Sequence, residues 1–203
     1  MAAQESVPRQ LQPSRAVDSA AVTRAADLLV RWPARLGGVR LAAVDGPSGS
    51  GKTVFSRALA AELNRRGLTV AVVACDDFAT WNRPASWWPE LEVGVLAALA
   101  NGSDGRYRAI RWANDNPIPG PFVDIAVPDV LIIEGVTSAR RALVGRVSVA
   151  VWLEWGSPSQ RLDVVASRDG EQCREPLRLW QDFEAGWFAV DGTRERCDVV
   201  VCR

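Results

Sequence analysis

One eight-residue stretch, Gly46-Pro47-Ser48-Gly49-Ser50-Gly51-Lys52-Thr53, restricts this chain more than any other. It satisfies G-x-x-x-x-G-K-[ST] at every fixed position. The apolar run at 39–45 reads as a buried strand, and 54–66 reads as a helix. A strand feeding a helix through such a loop is an anion cradle. Its glycines let the backbone curl so that N–H groups converge, and the helix N-terminus adds partial positive charge. Lys52 is expected to reach the β- and γ-phosphates of a nucleotide, and Thr53 to offer its hydroxyl to Mg²⁺. Gly46, Ser48, Gly49, Ser50 and Gly51 complete the expected phosphate-binding set. Lys52 is also the only lysine; the other 23 of the 24 basic residues are arginine. A planar guanidinium does not replace a compact ammonium at such a position, so the lone lysine reinforces the motif.

Composition narrows the chemistry. With 203 residues, the chain suits one α/β domain, expected over 19–203 behind a loose polar tail at 1–18. Basic and acidic residues balance at 24 each, which argues against a nucleic-acid or membrane surface. There is no histidine, so histidine bases, Ser-His-Asp triads and His-ligated zinc are excluded. Cys75, Cys173, Cys197 and Cys202 lack Cys-x-x-Cys spacing and read as reduced thiols. No export signal is recognisable and no apolar run is long enough to span a bilayer, so the expected location is the cytoplasm.

In chain order, a helix is expected from Asp18 or Ser19 to about Trp32, with Val22, Ala25, Ala26, Leu29 and Val30 on one face. A strand at 68–74 reads as apolar on both faces and ends at Cys75-Asp76-Asp77-Phe78. Acidic residues there stand at the ligand-binding edge of an open α/β sheet. Residues 79–89 read as irregular and hold Trp81, Trp87 and Trp88, which suit either a wall for a flat ring or plugs in the core. A helix follows at 90–100, a short strand at 107–112 and a mostly irregular segment at 113–128. Val130 to Ile133 is the clearest buried strand; Glu134 at its tip is the Walker B arrangement that supports Mg²⁺. A short helix at 138–143, a strand at 147–153, a helix from Ser157, another at 175–190 and a strand at 198–201 complete the reading. Strands alternating with helices predict a parallel sheet of five strands with helices on both faces.

Three blocks in this order, Gly46 to Thr53, Asp76-Asp77-Phe78 and Pro128 to Val136, resemble the uridine kinase-like group of P-loop kinases, which includes phosphoribulokinase and pantothenate kinase. A looser block, Arg161 through Arg168-Asp169, resembles their arginine-bearing lid. The likeness covers about 39–201. It implies strand order 2-3-1-4-5, ATP with Mg²⁺, and a small hydroxyl-bearing acceptor. By the same resemblance Asp76 becomes the catalytic aspartate, Glu134 with Thr53 the metal site, and Arg168 the lid arginine. Arg174 is a further candidate for closing over the phosphates. Asp77, Trp81, Trp88, Arg111 and Arg161 are acceptor-side candidates.

The chain departs from that pattern. Ala79 stands where uridine kinases usually have tyrosine. Arg83-Pro84-Ala85-Ser86-Trp87-Trp88 replaces a loop usually carrying aspartates. Arg111-Trp112-Ala113-Asn114-Asp115 replaces a segment with a Tyr-Asp pair and histidine. Phosphoryl transfer is therefore the expectation, with the acceptor open. A switch GTPase would need a second lysine for its guanine-reading motif. The rival reading is a non-catalytic nucleotide-binding sensor. Oligomeric state is open, with a homodimer compatible.

Overall fold

A computed structural model describes residues 17–113 and 116–202. The expected tail, apart from Val17 and Asp18, and Asn114-Asp115 lie outside the described residues.

The centre is a five-stranded parallel sheet: β1 (Arg40–Asp45), β2 (Val70–Ala74), β5 (Val130–Glu134), β6 (Val149–Glu154) and β7 (Val199–Cys202). Their order is β2-β5-β1-β6-β7, which is 2-3-1-4-5 when only the parallel strands are counted. The fold class and order agree with the expectation. Alternate residues face opposite layers. Leu41, Leu131, Ile133 and Val73 join a core with the 88–100 helical segment and with Tyr107, Ala109 and Ile125. Ala42, Val44, Val130 and Ile132 join another with helices α1 (Ser19–Arg31) and α2 (Lys52–Arg65). The central strands β1 and β5 are buried along nearly their whole length. The edge strand β2 is not: Val72 is exposed, correcting the expectation that it is apolar and covered on both faces.

Register brings the site together. Val44 of β1 and Ala74 of β2 both pair with Glu134 of β5. Three strands therefore end on one rung. The phosphate loop, the Cys75–Asp77 turn and the Glu134 carboxyl all emerge at the same carboxyl edge, where open α/β sheets take ligands.

Two expectations need correction. The segment expected to be irregular forms β4 (Asn116–Ile125), antiparallel to β3 (Gly105–Ala113). Pro117, Pro119 and Pro121 conceal it in the sequence, but Pro117 and Pro119 sit at alternate positions, where missing N–H groups can face away from the partner, and Pro121 falls where the register shifts at a bulge. The short helix expected at 138–143 is a turn plus a single 3₁₀ turn, Arg141–Leu143. There Thr137 takes a left-handed φ of 72°, and Asp45 holds the amides of Thr137 and Ala139 in the turn.

The 88–100 segment runs as α3 (Trp88–Leu91), a π turn (Glu92–Leu96) and α4 (Ala97–Ala100). α5 (Pro158–Asp169) opens with a Ser157–Gln160 capping box and closes at Gly170. α6 (Arg174–Asp191) packs on it through Leu177 against Val165 and Ala166.

Candidate functional site

The loop between β1 and α2 is held by its own chain on three sides. Gly46 has φ 138°, and a Cβ there would run into the Leu153 carbonyl of β6. Gly49 has φ 77°, and a Cβ would sit 3.0 Å from Cβ and O of Arg161 and 3.2 Å from Val165 on α5. This second glycine serves close approach of a helix as well as the curl of the loop. Asp45, fully buried, accepts from the amides of Gly46 (2.7 Å), Thr137 (3.1 Å) and Ala139 (2.8 Å). Burial pushes its pKa up to about 6 against the pull of those amides and of Lys52.

The remaining donors suit a triphosphate. Lys52 is buried and donates to the carbonyls of Gly46 (2.8 Å) and Pro47 (3.0 Å), which fixes its ammonium at the mouth of the loop. The N-terminus of α2, with Gly51 as N-cap, has no side-chain cap, so its first amides are left to a ligand or water. The Ser50 hydroxyl is buried without a hydrogen-bond partner. Space beside Gly51 is open. Not every amide is available, however. Ser50 N–H donates to the Pro47 carbonyl. Ser48 donates its N–H to both carboxylate oxygens of Glu184 (3.1 and 3.0 Å) and its hydroxyl to Oε1 of the same residue.

Thr53 Oγ1 donates to Glu134 Oε1 at 2.9 Å. Glu134 is buried; desolvation pushes its pKa up, Lys52 opposes this and Asp76 adds to it. A hydroxyl and a hard carboxylate at one spot fit Mg²⁺, which takes few protein ligands and completes its shell with phosphate and water. Among the described residues no group of three acidic, Cys or His side chains is placed to hold a metal alone.

Asp76 and Asp77 separate. Asp76 is exposed and acts electrostatically on both Glu134 and Arg168. Asp77 accepts from Tyr107 Oη at 2.6 Å, and Phe78 stacks on that tyrosine and on Trp87. Asp77 thus anchors the hairpin. Arg168, in the last turn of α5, pairs with Asp169 at 2.7 Å; Asp169, then Asp76 and Glu134, push its pKa up. Arg168 and both strand-tip carboxylates therefore share one field.

The acceptor-side candidates do not converge. Trp81 is partly exposed and meets Trp112 of β3 (centroids 5.4 Å apart) and Trp180 of α6 (5.9 Å). Trp87 is a core plug, 1% exposed. Trp88 is occupied by the Arg140 guanidinium 4.2 Å from its ring centre, a packing role rather than an open ligand wall. Arg111 lies exposed on the hairpin, its stem beside Gly120. Arg161 points beneath the loop: it donates to the Trp155 and Gly156 carbonyls at 2.9 and 2.7 Å, so it is a strut and not a ligand arm. Arg174 pairs with Glu171 and Asp163.

Two residues of the site belong to no sequence motif. Asp45 reads as the last residue of the 39–45 strand, and Glu184 as one position of the 175–190 helix. The one signal for Glu184 is its phase: it follows Leu177 by seven and Trp180 by four, on the buried face.

A parallel 2-3-1-4-5 sheet with a glycine loop between its central strand and a helix defines a P-loop protein. Among solved structures, the chain is similar to a possible uridine kinase from Bacillus stearothermophilus, with a TM-score of 0.62, 17% identity, and 90% of this chain and 98% of that one covered. It is similar to a candidate fructose transport system kinase from Silicibacter sp. TM1040, with a TM-score of 0.61, 22% identity, and 89% and 98% covered. It is also similar to YFH7 of Saccharomyces cerevisiae, described as a candidate P-loop containing kinase with a circular permutation, with a TM-score of 0.54, 10% identity, and 92% and 99% covered. The chain has the fold of the uridine kinase-like P-loop kinases, as its motifs imply. No family model matches the sequence, and no curated protein matches it.

Proposed function

We propose that the protein is an ATP-dependent small-molecule kinase that transfers the γ-phosphate to an acceptor hydroxyl. The observation carrying this reading is the strand-tip register: Lys52, Thr53, Glu134 and Asp76 stand at one sheet edge, with Arg168 in their field.

The open amides at the start of α2, the Ser50 hydroxyl and Lys52 bind the triphosphate. Thr53 and Glu134 would hold Mg²⁺, whose charge offsets that of the phosphates. Asp76 accepts the acceptor's hydroxyl proton as the oxygen attacks, and ADP leaves. Arg168 offsets charge that develops on the transferring group. The protein's part is position and field, since such transfers ask little covalent chemistry of it. The partners on this reading are ATP and a small acceptor. Among the described residues no helix is long and apolar enough to cross a membrane.

The test is ADP release with MgATP across a panel of nucleosides, pantothenate-like alcohols and sugar phosphates. Release that depends on one class supports the reading and names the acceptor. MgATP binding without acceptor-dependent release from any of them would leave the chain a nucleotide-binding module.

A further inference from the structure

α6 has only two fully buried side chains, and one is a carboxylate. Leu177 packs on α5; Glu184, 2% exposed, faces the phosphate loop. A charge withdrawn from water is costly unless partners replace its hydration. Glu184 has such partners: Ser48 gives it both backbone N–H and hydroxyl, and Lys52 lies close enough to favour its ionised form. Arg161, beneath the loop, is the other cation in its field. Burial works the other way and pushes the carboxyl pKa up.

The contact joins elements far apart in sequence. α5 presses on Gly49, and α6 grips the neighbouring residue, Ser48. The loop is thereby fixed at its outer bend, while its inner amides and Lys52 stay turned to the sheet edge. We propose that Glu184 is a positioning residue of the phosphate loop, holding Ser48 so that the amides at the start of α2 and the Lys52 ammonium are set for the triphosphate before it arrives. The inference rests on the nucleotide reading above. It adds that α6 controls nucleotide affinity through one hydrogen-bonded carboxylate. Glu184 does not touch the nucleotide; its effect passes through Ser48. A glutamine keeps the volume but removes the charge and one of the two acceptor oxygens, so the grip is weakened with little change in packing.

The experiment compares the full chain with Glu184→Gln, Ser48→Ala and the double variant. The readouts are hydrogen exchange of a 46–53 peptide without ligand, the Kd for MgATP by calorimetry, and thermal unfolding. Glu184→Gln is expected to speed exchange in the loop at least tenfold and to raise the MgATP Kd about tenfold. Ser48→Ala is expected to move both in the same direction by less. The double variant should be no weaker than Glu184→Gln, because the hydroxyl that Ser48→Ala removes acts through the same carboxylate. If Glu184→Gln unfolds, the Ser48→Ala comparison carries the test, and wild-type exchange and affinity in that variant overturn the proposal. Wild-type affinity in a folded Glu184→Gln protein overturns it. So does tighter binding, which would make Glu184 a competitor for the phosphate. Failure of the wild-type chain itself to bind MgATP would overturn the nucleotide reading and this inference with it, and is distinguished by occurring before any substitution.

Discussion

Asp45 accepts three hydrogen bonds from the chain's own backbone, and that assignment separates it from Asp76. Both are aspartates at strand tips, yet one is sealed and the other exposed. Asp76→Asn is expected to bind MgATP as the wild type does while losing about 10²–10⁴-fold in acceptor phosphorylation, the range of a missing general base. Steady-state turnover beside calorimetry checks it; near-normal turnover would remove Asp76 from the mechanism. Asp45 makes a different expectation, in stability. Its folded-state pKa of about 6 stands above the ordinary 3.8, so the folded state holds the proton more tightly. That contribution is fully present below pH 3.8 and is lost as pH rises through about 6. The shift corresponds to about 3 kcal/mol. Urea unfolding from pH 3.5 to 7 should show a falling component in the wild type that Asp45→Asn lacks; equal slopes in the two proteins would contradict it. Glu134 and Glu184, also raised, slope the same way and remain in both.

At the scale of elements, the close packing of the π turn on β3 is the exposed point of the design. Gly94 lies where an added Cβ would meet the Arg106 carbonyl at 2.6 Å, backbone that cannot swing aside. Gly94→Ala is expected to cost about 1–3 kcal/mol by overpacking, although alanine is the better helix former. Thermal unfolding measures it, and a stabilised variant would show that the turn can relax to a regular helix. Legibility in the sequence divides along the same line. The phosphate loop and the positions of Glu134 and Asp76-Asp77 at the carboxyl edge of the sheet were readable because each is a short pattern on an apolar strand. The β3–β4 hairpin was not, because three prolines mimic a loop when the partner strand is unseen. Trp87 and Trp88 could not be divided from Trp81 without knowing that Arg140 fills the space between the first two and Trp187. Glu184 was hidden for a related reason: only the tertiary contact with Ser48 makes a carboxylate tolerable on a buried face.

For the molecule as a whole, the five parallel strands and their order followed from local pattern, since apolar strands alternating with helices admit few topologies. What pattern did not reveal is that the loop is gripped from outside, by α5 at Gly49 and α6 at Ser48. A loop whose every amide was satisfied by the protein would have no use for a nucleotide. Here the chain occupies the outer bend and leaves the start of α2, the Ser50 hydroxyl and the open space at Gly51. The most direct test is equilibrium binding of MgATP by calorimetry to the wild type and to Lys52→Ala. One site per chain is expected in the wild type and at least a tenfold loss of affinity in the variant, since a buried charged donor to phosphate contributes upward of about 1.4 kcal/mol. Equal affinity in the two proteins, or no binding to the wild type, would contradict it.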